Sequence, residues 1–298
     1  MATDGFGRIG WIGTGVMGRS MALHLVKAGY DLAVYTRTEQ RAKDVLDAGA
    51  SWAASPGAAA EGADAAFAIV GYPADVEEVF LGSGGIVASA PSGALLVDMT
   101  TSEPSLAARI AGAAAERGQQ SLDAPVSGGD VGAREGKLAI MVGGEQAAFD
   151  RARPLFDLMG ENIKLMGAAG AGQHTKMSNQ ILIASTMIGV VESLLYGYRA
   201  GLDRDAIIDV IGKGAAATWS INNLGPRIVK GDFAPGFFIK HFVKDMGIAL
   251  AECRAMNLAL PGLALAHQFY VSAMASGLQD DGTQGLYKVL AKMNDQPL

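Results

Sequence analysis

Residues 8–35 read RIGWIGTGVMGRSMALHLVKAGYDLAVY. Arg8–Ile12 is a short apolar run that ends at Gly13-Thr-Gly-Val-Met-Gly18. Apolar residues then recur with helical spacing through Met21, Leu25 and Val26 and stop at Gly29, and Asp31–Tyr35 is a second apolar run. Strand, glycine-rich turn, helix, strand is the context that gives a G-x-G-x-x-G hexamer its meaning as a dinucleotide site. Gly13 permits the tight turn, Gly15 lets a pyrophosphate reach the backbone, and Gly18 allows close helix packing. Thr14, Val16 and Met17 complete the turn, and the free N–H groups of the helix start face the phosphates.

The second strand fixes where the adenosine ribose is read. Asp31 has the expected spacing from the glycines, but it starts the strand and so lies at the wrong end. The carboxyl end reads Thr36-Arg37-Thr38. A guanidinium with two hydroxyls suits a 2′-phosphate, and no carboxylate is there for a free 2′-hydroxyl. NADP is therefore expected, with NAD as the alternative. Against this stands the plainer view of Arg37 as a solvated loop residue.

Alternation continues. Ala65–Val70 is a strand ending in Gly71-Tyr72-Pro73, a short helix starts near Asp75, and Ala94–Met99 is a strand ending in Thr100-Thr101-Ser102. Helix follows over 104–117. Repeated strand–helix units with apolar strands predict a parallel sheet covered on both faces, with ligands at the carboxyl ends of its strands. Tyr72, Pro73 and Thr101 lie at such ends. Ser121–Ala124 leads into Pro125-Val-Ser-Gly-Gly-Asp130. Ser127, Gly128 and Gly129 offer unobstructed backbone N–H groups to a small anion such as a carboxylate, or simply make a glycine turn. Strand 138–142, helix 145–158 and strand 162–166 close this half.

Residues 173–200 contain no Pro and, as one helix, extend about 42 Å at roughly 1.5 Å per residue. The stretch is apolar nearly all round, which predicts a buried helix of a soluble protein and not a membrane span. Yet its first turns carry Lys176, Asn179 and Gln180, which share a face. An ammonium entering a buried region is suited to proton transfer; the bland alternative is a lysine that snorkels from the helix end. Beyond Gly201 strand-like alternation is scarce. Asp203 reads as an N-cap, and helices are expected over 244–257 and 263–275. The expected organisation is a Rossmann domain over 1–168 and an all-α domain over 169–298, joined by the long helix.

The bulk numbers agree. The 298 residues suffice for two domains, half of them are hydrophobic, and the net charge is −6. With no Lys/Arg cluster, nucleic acid is not an expected partner. The single cysteine, Cys253, rules out an internal disulfide, makes a cysteine-built metal site improbable and suits a cytoplasmic setting. The N-terminal MATDGFGRIG lacks the apolar core of a signal peptide.

Taken together, Gly13-Thr-Gly-Val-Met-Gly18, Asp123-Ala-Pro-Val-Ser-Gly-Gly129, Gly170-Ala-Gly-Gln-His-Thr-Lys176 and Lys244-Asp245 resemble the β-hydroxyacid dehydrogenase family, in order and over nearly the whole chain. That family includes 3-hydroxyisobutyrate dehydrogenase and the tartronate, glyoxylate and succinic semialdehyde reductases. The resemblance implies an NAD(P)-dependent oxidoreductase acting on a small carboxylate, assembled as a homodimer or homotetramer. It implies Lys176 as the catalytic residue, Ser127, Gly128 and Gly129 as the carboxylate loop, Asn179 and Gln180 as substrate-side amides, and Thr101 and Lys244 as cofactor contacts. No metal is implied, because a cationic lysine polarises the carbonyl. Gln180 looks like the tartronate semialdehyde reductases, whereas His241-Phe-Val-Lys-Asp-Met246 looks closer to the glyoxylate and succinic semialdehyde reductases. The two signals disagree and leave the substrate open. Rival expectations are a non-catalytic nucleotide-binding protein and an imine reductase-like enzyme; retention of Lys176 counts against both.

Overall fold

The computed structural model describes residues 5–296. Residues 1–4, at the head of the stretch read above for a leader, and residues 297–298 lie outside the described residues, as do those ends of the two expected domains. The chain forms two compact units that divide at Lys176/Met177. The sequence expectation draws that division at 168/169.

The first unit is built on a nine-stranded sheet: β1 (Arg8–Ile12), β2 (Asp31–Tyr35), β3 (Ser51–Trp52), β4 (Ala65–Ala68), β5 (Leu95–Asp98), β6 (Gln120–Asp123), β7 (Val126–Ser127), β8 (Leu138–Gly144) and β9 (Gly160–Gly167). The order is β3-β2-β1-β4-β5-β6-β8-β7, with β9 also paired to β8. From β3 to β6 every pairing is parallel. The chain reverses direction across the sheet between β1 and β4, and the crevice at their carboxyl ends is the ligand position of a doubly wound sheet. Parallel pairing fails at β8, which runs antiparallel to β6 and β7. One residue, Gly128, links β7 to the helix Gly129–Glu135, which is too short to cross the sheet, so the chain returns beside the strand it left.

Apolar strands are buried on both faces. One face centres on Trp11, Phe67 and Phe156: the Trp11 and Phe67 rings stack at 5.6 Å, and Phe156 meets Phe67 edge-on at 6.3 Å. Each such side chain contributes about 1.5–3 kcal/mol through burial. The opposite face is filled by Ala66, Ala68, Val76, Phe80, Leu96 and Ile110.

The long helix spans Ala171–Arg199 and passes from the first unit into the second. The second unit is helical, with helices Arg204–Ile211, Ile239–Ala255, Pro261–Ala275 and Leu286–Met293 among its elements. Asp203 caps the first of these, its carboxylate accepting from Asp205 N–H. Its core packs Met187, Val191 and Leu194 of the long helix with Phe242, Met246 and Tyr270. The long helix is long and apolar enough to cross a membrane, a test that the core helix of a soluble protein also passes. The expectation that it is buried all round needs correction. Ser178, Leu182, Ser185, Gly189, Glu192 and Tyr196, spaced by three and four, form an exposed stripe, with Leu182 at 69% and Tyr196 at 76% exposure. Hydropathy does not distinguish a face that this chain's own helices cover from one that they leave open.

Candidate active site

The dinucleotide turn has the shape that its glycines require. Gly13 has φ +100°, and a Cβ there would collide with the Ile69 carbonyl oxygen at the end of β4. A Cβ on Gly18 would strike Gly13 O and Ile69. Gly15 differs: nothing lies within 4 Å of where its Cβ would be, and the residue is exposed. The turn is closed at its first and third glycines and open at its second, as an approaching pyrophosphate demands. The helix that follows, Val16–Lys27, has no side-chain cap and no acid in its first turn. Its N–H groups and dipole are left for an anion. These residues therefore fit the pyrophosphate of a dinucleotide.

Around this turn the structure places Thr14 buried, Val16 exposed and Met17 half-buried, with Tyr72 exposed and Pro73 and Thr101 half-buried at the ends of β4 and β5. Thr36 is half-buried and Thr38 exposed. Arg37 lies at the carboxyl end of β2 with its side chain 79% exposed. Its guanidinium is 3.2 Å from the carboxylate of Asp75, whose other oxygen accepts the Tyr72 N–H at 3.1 Å. Sequence inspection found no carboxylate at this strand end because Asp75 is distant in the chain. The signal was its place in the first turn after Pro73, where an acid caps a helix.

Further along the same carboxyl edge of the sheet two segments are tied together. Asp123, the last residue of β6, is buried; its carboxylate accepts the N–H of Gly170 at 2.7 Å and of Gln173 at 2.8 Å. Burial raises the Asp123 pKa above the usual carboxylate value, and the N–H groups of the helix start oppose the rise. Gly172 makes the approach possible, since a Cβ there would meet the backbone oxygens of Met141 and Asp123. Three residues after Asp123, the Val126 carbonyl accepts a 2.7 Å hydrogen bond from Lys176 Nζ. Lys176 is 7% exposed, so it does not snorkel to solvent. The substrate-loop residues come next: Ser127 half-buried, Gly128 at φ +135° and Gly129 at φ +64°. The conformation of this pair is reserved for glycine.

In the second unit Gln180 and Lys244 converge on Asp245, and Asn179 bonds to Gln180. Gln180 is buried and donates through Nε2 to Asp245 at 2.6 Å, while its Oε1 accepts from Asn179 at 2.7 Å. Lys244 Nζ pairs with the other Asp245 oxygen at 3.0 Å. His241, one turn earlier on the same helix, has its pKa lowered by burial and by Lys244, which favours the neutral ring. In the sequence Asp245 is only the neighbour of Lys244; its pairing with both Gln180 and Lys244 is set by the fold.

Comparison with known proteins yields a consistent set. Residues 8–167 match the NAD binding domain of 6-phosphogluconate dehydrogenase, and residues 170–290 match the NAD-binding domain of NADP-dependent 3-hydroxyisobutyrate dehydrogenase. The uncharacterized oxidoreductase YkwC of Bacillus subtilis is 52% identical over 95% of this chain and 99% of its own. The 2-hydroxy-3-oxopropionate reductase of Escherichia coli is 37% identical over 98% and 99% respectively. Among solved structures, the 3-hydroxyisobutyrate dehydrogenase of Mycobacterium tuberculosis, solved with L-serine, superposes with a TM-score of 0.87 at 28% identity, covering 95% of this chain and 99% of that one.

Proposed function

The chain belongs to the β-hydroxyacid dehydrogenase family of NAD(P)-dependent oxidoreductases, and from that premise we propose that it interconverts a small β-hydroxy acid and its semialdehyde, with Lys176 as general acid and base. One observation carries the assignment to Lys176: a buried lysine is anchored to the backbone carbonyl that immediately precedes the Ser127–Gly129 loop. An amine so held stands at a fixed offset from whatever that loop binds, which is the positioning that proton transfer needs.

The nicotinamide cofactor supplies and accepts the hydride. In reduction, Lys176 donates a hydrogen bond to the carbonyl oxygen and protonates the forming alkoxide; in oxidation it takes that proton back. Ser127, Gly128 and Gly129 hold the carboxylate through the Ser hydroxyl and backbone N–H groups. L-Serine, present in the Mycobacterium tuberculosis structure, is itself a small acid with a β-hydroxyl and supports this substrate class. The family resemblance assigns Asn179 and Gln180 to the substrate and Thr101 and Lys244 to the cofactor. NADPH is the proposed cofactor, on the strength of Arg37. The proposed assembly is a homodimer or homotetramer, supported by the exposed stripe through Leu182 and Tyr196.

The test is oxidation of NADPH and NADH by purified protein against a panel of semialdehydes bearing a carboxylate. Turnover of at least one semialdehyde is expected. Cofactor binding without turnover of any carbonyl compound would instead identify a nucleotide-binding protein that kept the fold.

A further inference from the structure

Gln173 lies one turn before Lys176 on the long helix and has no exposed surface. Its carboxamide is inserted into the loop that follows β5. Oε1 accepts the Ser102 N–H at 2.9 Å, and Nε2 donates to the Thr100 carbonyl at 2.7 Å. Thr100 and Ser102 are both buried, so no water is at hand to replace either bond. The residue enclosed between them is Thr101, the half-buried threonine assigned to the cofactor. The backbone N–H of Gln173 meanwhile donates to Asp123, from which the chain runs on to Val126 and the substrate loop. One residue thus touches the cofactor loop with its side chain and the Asp123 carboxylate at the end of β6 with its backbone, and it stands on the helix that carries the amine.

We infer that Gln173 is a positioning residue: it sets the Thr100–Ser102 loop against the Lys176 helix so that cofactor and amine are held in one register. This rests on the dehydrogenase reading of the site. Packing alone does not require an amide here, because an apolar side chain of similar volume fills the same space. What the amide adds is a donor and an acceptor in one plane, matched to a carbonyl and an N–H two residues apart. A carboxylate offers two acceptors and would face the Thr100 carbonyl oxygen with no proton between them. A protonated carboxyl restores the match, its O–H donating to Thr100 O and its C=O accepting from Ser102 N–H.

That distinction defines the experiment. Dissociation constants for NADPH and kcat are measured on wild type, Gln173→Glu and Gln173→Leu from pH 8 to pH 6, with circular dichroism to confirm folding. At pH 8 both variants are expected to bind NADPH roughly tenfold or more weakly, with kcat reduced. As pH falls, Gln173→Glu should recover relative to wild type, because burial raises the pKa of the introduced carboxyl into this range. Gln173→Leu should not recover. A Gln173→Glu variant within twofold of wild type in both quantities overturns the inference. So does a loss that is equal in the two variants and independent of pH, which is what a purely packing role gives. If Gln173→Glu does not fold, Gln173→Leu decides: wild-type affinity for NADPH refutes the role. A wild-type protein that binds neither NADPH nor NADH would refute the dehydrogenase reading itself, and that result precedes any variant.

Discussion

Lys176 Nζ donates a 2.7 Å hydrogen bond to the carbonyl oxygen of Val126, the residue immediately before Ser127. Amine and substrate loop therefore share one backbone anchor. Because Asp123 holds the helix start at the other end of the same short segment, neither group moves without the other. A buried lysine without a partner is costly, and this one has found its partner at the place where the chemistry needs it.

Replacing Lys176 by Ala should lower kcat by roughly 10²–10⁴-fold, the range of a general acid–base contribution. The cost to folding should be about 1–3 kcal/mol for the buried Val126 carbonyl left unpaired, and NADPH affinity should be unchanged. Steady-state kinetics with thermal unfolding and cofactor titration check all three. An alanine variant within threefold of wild-type activity would remove Lys176 from the chemistry.

Substrates without a carboxylate should be poor. The loop offers a half-buried serine and two positive-φ glycines, which present polar hydrogens and no side chain to hold an alkyl group. Methyl esters should lose most of the kcat/KM of the parent acids, since an ester carries no charge to draw on these donors. Equal kcat/KM for ester and acid would show that the loop does not bind carboxylate.

Asp123→Asn tests the joint itself. The aspartate accepts from Gly170 and Gln173 through separate oxygens, and an asparagine must turn an NH₂ group toward one of those N–H donors. A buried donor left unpaired costs about 1–3 kcal/mol, so the unfolding free energy from denaturant titration should fall by that amount. Activity should fall further than stability explains, because the helix start sets the position of Lys176. A variant with wild-type stability and kcat would show that this contact holds nothing in place.

Much of this site was legible in the sequence, and the rest was hidden for identifiable reasons. The strand–turn–helix–strand of residues 8–35 could be read because its periodicity is local, and β1, β2 and the Gly13–Gly18 turn stand where that pattern put them. The two-residue strand β7 and the reversal at β8 could not be, since two residues carry no period and strand direction is set by pairing. Lys176 stood out as a lysine in an apolar helix, but its partner is a backbone carbonyl, and every residue has one. Asp123, Gln173 and Asp245 act through contacts across long chain separations, which no spacing rule records.

The last expectation concerns Arg37, where the structure changes the magnitude. A charged hydrogen bond to a 2′-phosphate contributes about 1.5–3 kcal/mol when it is well formed, and each 1.4 kcal/mol is a factor of ten in affinity. Arg37 is 79% exposed and already paired with Asp75. Exposed pairs contribute about 0–1 kcal/mol, and a phosphate must share or displace this one. Arg37→Ala should then weaken NADPH by roughly three- to tenfold at low salt and leave NADH little changed. Asp75→Asn should act in the opposite direction. It removes a negative charge beside the phosphate position, while an asparagine oxygen still accepts the Tyr72 N–H that the aspartate holds. NADPH affinity should rise several-fold, NADH should stay unchanged, and the gain should shrink in the double variant, because the part that comes from freeing Arg37 of its ion pair is then lost. Both effects should shrink as salt screens the charges. Dissociation constants for the two cofactors across wild type, both single variants and the double variant check the scheme. A wild type that favours NADH, or an Arg37→Ala variant that loses both cofactors equally, would show that this strand end does not read a 2′-phosphate.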